Sequence, residues 1–244
     1  MKRKPKLITG LVIIFFVIII GLIWYLRPHQ PMKETKEVLG SNENIDIDSE
    51  NYYVFKSADE KVNTGLIFYP GARVKPEAYA PLAYDIAKSN IKVVIVPMPL
   101  NLAILGVNRA DNIIEEYDNI TNWIIGGHSL GGAMAARYTN NNPQKILGLI
   151  LLASYPSQSD DLSNEAVRVL SIYGNEDEVV SIDDINKSKE YLPDNAEYVE
   201  IDGGNHSQFG WYGFQDGDGE AEISRDKQQS LLVNYITEFI ISLK

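Results

Sequence analysis

The chain contains no cysteine, which excludes disulfides, thiolate metal sites, lipoprotein acylation and a cysteine nucleophile at once. Histidine is scarce, so any imidazole chemistry must come from His29, His128 or His206. Base is in deficit, with 22 Lys+Arg against 33 Asp+Glu and a formal net charge of -11. A surplus of acid repels phosphates, so nucleic acid is excluded as a partner. There is no internal repeat, and no low-complexity tract beyond one apolar run. The rest is globular in balance: 45% hydrophobic and 23% charged residues over 244 positions suit one domain with an appendage.

The charge is unevenly spread. Residues 1–27 hold Lys2, Arg3, Lys4, Lys6 and Arg27 and no acid, leaving 17 basic against 33 acidic residues, a net of -16, in the remainder. From Leu7 to Leu26 run twenty uncharged residues ending on Trp24 and Tyr25. As a helix they would span about 30 Å, the thickness of a bilayer core. A cleaved signal peptide would have a shorter apolar stretch and a small-x-small cleavage site, whereas this run ends Trp-Tyr-Leu-Arg-Pro. The expected organisation is a basic cytoplasmic tail at 1–6, a transmembrane anchor at 7–26, a polar linker at 27–50 and a folded domain at 51–244. The basic cluster Met1 to Lys6 favours a cytoplasmic N-terminus, which puts the domain on the far side of a cell membrane.

Within residues 51–244, apolar β-rich runs alternate with amphipathic stretches, the pattern of an α/β layer fold with a mostly parallel sheet. Strands are expected at Thr64–Tyr69, Ile91–Val96, Asn122–Gly126, Ile146–Ala153, Val167–Tyr173 and Ala196–Ile201, with a short further strand possible at the linker's end. Helices are expected at Pro76–Ser89, Arg109–Tyr117, Gly131–Asn140, Asp183–Leu192 and Ser224–Lys244.

The segment Trp123-Ile-Ile-Gly-Gly-His-Ser-Leu-Gly-Gly-Ala places Gly127, Ser129 and Gly131 in a G-x-S-x-G motif between a strand and a helix. A serine is exposed above a sheet only on a sharp, strained turn, and glycines two positions either side relieve the crowding. Ser129 is therefore the expected nucleophile, with Gly127, His128 and Gly131 completing the elbow. Its base follows by elimination. His29 lies in the linker and the side chain of His128 is expected to point away from Ser129, which leaves His206, just after the last strand. The orienting acid should follow the strand Val167–Tyr173, where the sequence reads Gly174-Asn-Glu-Asp-Glu. Asp177 is preferred, with Glu176, Glu178 and Asp202 as alternatives. An oxyanion hole needs two backbone N–H groups. Leu130 supplies one; Ala72, or less favourably Gly71, supplies the other, unless Pro70-Gly71 is only a turn.

These residues resemble the α/β-hydrolase superfamily, and within it the small lidless group associated with dienelactone hydrolase. The resemblance covers about Asn63 to Lys244, through Phe68-Tyr-Pro-Gly, Gly126-Gly-His-Ser-Leu-Gly-Gly, Ser171-Ile-Tyr-Gly, Gly203-Gly-Asn-His-Ser-Gln-Phe-Gly and Gly217-Asp-Gly-Glu-Ala. It implies an α/β-hydrolase fold without a cap domain and a triad of Ser129, Asp177 and His206. Dienelactone hydrolases proper use cysteine, so lactone specificity is not implied. Only twelve residues, Tyr155 to Ala166, occupy the place where caps are inserted, so an open pocket is expected, walled by Pro97–Leu105 and by Phe209, Trp211, Tyr212 and Phe214. Those aromatics could equally be packing.

The expected chemistry is carboxylesterase-like cleavage of a small, neutral or cationic ester through an acyl-enzyme, with no metal and no organic cofactor. Acyl transfer to an envelope acceptor is the alternative, and a silent anchored binding domain is less favoured. Asp216-Gly-Asp-Gly-Glu does not fit the spacing of a calcium-binding EF-hand and reads as an acidic turn. Asn119, Asn186 and Asn205 lie in glycosylation sequons, and a glycan on Asn205 would crowd His206, which points to a bacterial host that does not glycosylate them.

Overall fold

A computed structural model of the chain describes residues 11–17, 21, 27–39, 45–48, 51–57 and 62–243. Eight strands form one sheet: β1 Ile45–Asp48, β2 Tyr53–Ser57, β3 Thr64–Tyr69, β4 Lys92–Ile95, β5 Asn122–His128, β6 Gly148–Leu152, β7 Arg168–Gly174 and β8 Glu197–Ile201. Their order is β1-β2-β4-β3-β5-β6-β7-β8. The first two joins are antiparallel and the remaining five parallel.

Parallel strands with helices on both faces are apolar on both sides, which is why β3, β4 and β6 are hydrophobic after their first one or two residues and are buried throughout. Successive side chains feed opposite faces. Leu66 and Phe68 of β3 enter the layer shared with helices α2 (Ala80–Ala87) and α6 (Arg225–Ser242). Ile67 and Tyr69 enter the layer shared with α3 (Arg109–Glu116) and α4 (Leu130–Asn141). The Ser224 hydroxyl caps α6 by accepting from Lys227 N–H, a bond that removes one orphan donor of the first turn. The remaining helices are α1 (Glu34–Val38) and α5 (Ile182–Ser188).

The six expected strands and five expected helices are present with ends shifted by a few residues. Between β6 and β7 there is no cap, only a short 3-10 turn at Gln158–Asp160, where Asp160 is paired with Arg137 of α4.

The segment read as a linker is docked on the domain in its described parts. His29 forms a parallel bridge with Val74. His29 N–H donates to Arg73 O at 2.6 Å and Met32 N–H to Trp211 O at 2.8 Å. Thr35 of α1 is fully buried, Val38 and Leu39 pack on the layer under α2 and α6, and β1 joins the sheet. A segment of ordinary polarity can do this because its backbone groups find partners in loops 71–75 and 210–212.

Of the expected anchor, residues 11–17 are helical with exposed apolar side chains, while 7–10, 18–20 and 22–26, like the tail 1–6, lie outside the described residues. No helix among the described residues is long and apolar enough to cross a membrane.

Candidate active site

β5 ends at His128 and α4 begins at Leu130, so Ser129 makes the whole turn between them, at φ 53 and ψ -125. A non-glycine residue in this region costs about 1–3 kcal/mol, and the surroundings must enforce it. Ser129 N–H donates to Leu152 O at 2.9 Å, and Ser129 O accepts from Ser154 Oγ at 2.7 Å. The turn also demands glycine on both sides. A Cβ on Gly127 would lie 2.6 Å from Tyr69 O, and one on Gly131 would overlap the carbonyl oxygens of Tyr69 and Pro70. The strand-to-helix crossing over β3 leaves no room for a side chain.

His206 and Asp177 meet at the same end of the sheet. His206 Nδ1 lies 2.8 Å from Asp177 Oδ2, with both side chains buried. The other carboxylate oxygen of Asp177 accepts from Val179 N–H at 2.8 Å and Val180 N–H at 2.7 Å, which fixes the plane of the carboxylate. Of the rival acids, Glu176 is half-buried, Glu178 is exposed, and Asp202, also exposed, accepts from Asn175 Nδ2.

The two candidate oxyanion donors from the loop after β3 are not equivalent. Gly71 N–H donates to Tyr79 Oη at 3.0 Å. Ala72 N–H makes no hydrogen bond among the described residues. Leu130 N–H is the first amide of α4, which has no partner within its own helix and carries the positive end of the helix dipole.

Tyr79 links this loop to the base. Its hydroxyl shares a 2.9 Å hydrogen bond with His128 Nδ1, and the His128 ring lies 4.4 Å from that of His206, centroid to centroid. His128 is thus no bystander at the elbow. Burial, and then the neighbouring His206, hold its pKa well below the usual imidazole range. Burial likewise pushes the Tyr79 phenol far above its normal value.

An open cleft of about 270 Å³ lies beside Ser129, lined by Leu130, Ala133, Ala153, Ser154, Tyr155, Ser157 and Val180. Neither expected wall contributes. Phe209 and Tyr212 are buried and pack around His128, so they are core and not acyl pocket.

Three supports escaped sequence reasoning. Asp218, inside the supposed acidic turn, is buried and accepts four hydrogen bonds: from His206 N–H at 3.2 Å, Ser207 N–H at 2.7 Å, Ser207 Oγ at 2.6 Å and Gly219 N–H at 2.9 Å. Gln228 of α6 donates to Asn205 O at 2.9 Å and accepts from Asn205 N–H at 3.1 Å. Arg225 donates to the carbonyls of Ser207, Gly210 and Gly213. Asn205 itself is buried and donates to Gly219 O, so its sequon is closed to a glycan in the folded protein.

A family model described as "Alpha/beta hydrolase family" matches residues 65–230. No curated protein sequence matches the chain. Among solved structures the chain is similar to Est1E from Butyrivibrio proteoclasticus, with a TM-score of 0.60 at 13% identity over 82% of this chain and 99% of that one. It is similar to the esterase domain of a Rhodothermus marinus protein, with a TM-score of 0.60 at 11% identity over 77% and 90% of the two chains. A monoacylglycerol lipase from Paleococcus ferrophilus gives 0.58 at 15% identity over 74% and 95%.

Proposed function

The chain belongs to the alpha/beta hydrolase family, and on that premise we propose that it is a membrane-anchored serine hydrolase cleaving an ester or related acyl bond through Ser129, Asp177 and His206. The observation behind the reading is the buried 2.8 Å bond between His206 Nδ1 and Asp177 Oδ2 at the sheet end where Ser129 holds its strained turn.

With Nδ1 bound to Asp177, the His206 ring keeps one tautomer and offers Nε2 as the base. It takes the Ser129 proton as Oγ attacks the acyl carbon. The oxyanion accepts from the N–H groups of Leu130 and Ala72, in an arrangement worth several kcal/mol to the transition state. His206 then returns the proton to the leaving alkoxide, and water repeats the sequence on the acyl-enzyme. Asp177 stabilises the imidazolium formed in each half.

Anchorage is proposed through 7–26, with the N-terminus cytoplasmic and the domain outside; the uncharged run and the basic residues before it support this. Protease access in intact cells tests it. The excess of acid in the domain favours neutral or cationic esters.

The decisive experiment is fluorophosphonate labelling of the full chain, alongside hydrolysis of a nitrophenyl ester series of increasing acyl length. Wild type should label and turn over, and Ser129→Ala should do neither. Equal labelling of the two proteins sinks the reading.

A further inference from the structure

We propose that the catalytic end of the sheet seats on the lipid bilayer, through Leu100, Ile104, Leu105 and Phe214, and that the substrate is an acyl ester of an amphipathic lipid drawn from it. The inference rests on the anchored-hydrolase reading and specifies its substrate class.

It begins with where the anchor meets the domain. The apolar run ends at Leu26, and the next residue, Arg27, has its carbonyl 3.4 Å from Arg73 Nη2. His29, two residues on, is bridged to Val74. Arg27 and His29 are thus tied to the loop that offers Ala72 as oxyanion donor. With an anchor immediately before Arg27, as proposed, the membrane surface is adjacent to the active-site mouth.

The segment and the loop it is bridged to each hold one of two loops that present apolar side chains to solvent. Arg73 N–H, on the bridged loop, donates to Asn101 O at 2.7 Å, and Met32 N–H donates to Trp211 O at 2.8 Å. The loop around Asn101 exposes Leu100 at 64%, Ile104 at 52% and Leu105 at 53%, and the loop after Trp211 exposes Phe214 at 49%. Leu100 and Asn101 are held at positive φ, a conformation that turns a leucine outward at a backbone cost the fold must enforce. Exposed apolar side chains on adjoining loops of a folded domain mark a contact surface. Here the anchor's entry point names the occupant. The cleft beside Ser129 is open and capless, so a lipid acyl chain reaches it without the lid movement that a capped pocket would need.

The absence of native cysteine makes a direct test clean. Full-length Leu105→Cys and Ile241→Cys proteins, each labelled with an NBD fluorophore, are reconstituted into phosphatidylcholine vesicles containing spin-labelled lipid. Ile241 is 54% exposed, matching Leu105, but lies near the end of α6, where Leu243 approaches Gly148 at the opposite end of the sheet. NBD at Leu105 should be blue-shifted and quenched at least threefold more than at Ile241. Equal quenching overturns the proposal, as does a blue shift without lipid quenching, which would indicate a protein partner.

In the same vesicles, Leu100→Asp/Leu105→Asp should lose at least tenfold in hydrolysis of a bilayer-embedded monopalmitoyl glycerol and stay within twofold on nitrophenyl acetate. Aspartate tolerates the positive φ at position 100, so the variant is expected to fold. Parallel changes in the two rates, or none in either, overturn the proposal. A wild type inert to both esters and to fluorophosphonate removes the hydrolase reading, while the fluorophore quenching still decides whether this face meets lipid.

Discussion

Asp218→Asn is the sharpest test of how the base is held. The substitution keeps the side chain's shape and replaces one acceptor oxygen by a donor. In Asp218, Oδ1 accepts from the N–H groups of His206 and Gly219, and Oδ2 accepts from Ser207 N–H and Ser207 Oγ. If the new amide nitrogen takes the Oδ1 position, two backbone donors face a donor. If it takes the Oδ2 position, the Ser207 hydroxyl can turn to accept, and one N–H is stranded. The second arrangement is cheaper. One buried donor without a partner costs about 1–3 kcal/mol, and three bonds lose the strength lent by a full negative charge. A total loss of about 2–4 kcal/mol follows, which for a domain of this size lowers the melting temperature by about 5–15 °C. Because two of the four bonded donors are the backbone N–H groups of His206 and its neighbour, the damage reaches the reaction: kcat on a nitrophenyl ester should fall at least tenfold with little change in KM. Asp216→Asn, two residues away and exposed, is the control. Thermal melts and steady-state kinetics of both variants decide the matter. An Asp218→Asn protein within 0.5 kcal/mol of wild type and within twofold in kcat would refute the reasoning.

Asp177→Asn should lower kcat by about 10³–10⁴, the scale expected when the base loses its tautomer and its counter-charge, whereas Glu178→Gln should stay within twofold; steady-state rates with one ester suffice, and a large loss in Glu178→Gln would reassign the acid. His128 gives a pH dependence of definite sign. Its folded pKa is depressed, so its stabilising contribution is complete above pH 6.5 and is lost as the pH falls below that value, where the unfolded chain takes up a proton that the native state refuses. The slope approaches about 1.4 kcal/mol per pH unit between pH 6 and 5, and His128→Phe should flatten it in urea titrations; an unchanged slope would place the acid sensitivity elsewhere.

The parallel strands were legible because burial on both faces writes them as largely apolar runs, and the candidate residues Ser129, Asp177 and His206 stood out because they fall at strand ends where punctuation is strongest. β1 was harder to read. Its Ile-Asp-Ile-Asp pairs only with β2 at the sheet edge, and four residues inside a polar stretch give too short an alternation to stand out. Asp218 was hidden for a related reason. Asp-Gly-Asp-Gly has the composition of a solvated turn, and its burial comes from α6 and the His206 loop folding over it, contacts that span ten residues or more. Gly217 at φ 88 was a local hint of a constrained turn, not of what the turn accepts. The docking of residues 27–39 was invisible because it is made largely by backbone hydrogen bonds, which any sequence can form.

Elimination named His206 as the base by setting aside the other two histidines, yet the three lie in one aromatic column. The His29 ring is 5.4 Å from Tyr212, Tyr212 is 6.2 Å from His128, and His128 is 4.4 Å from His206. Their protonation states determine whether such a column helps or hinders. In the proposed mechanism His206 becomes a cation during acylation, and a second cation 4.4 Å away would oppose it by about 4 kcal/mol at an effective dielectric of 20. Burial prevents this by keeping His128 neutral, and it depresses His29 in the same direction. A neighbouring imidazole held neutral by burial therefore leaves the positive charge to the one that faces Asp177. The same column connects His206 through His128 and Tyr79 to the amide of Gly71, and through Tyr212 to His29 of the docked segment. The proposed base, the loop after β3 and the docked segment at residues 27–39 thus share one packed unit, and a change in His29 should register in kcat although it touches neither Ser129 nor the cleft beside it.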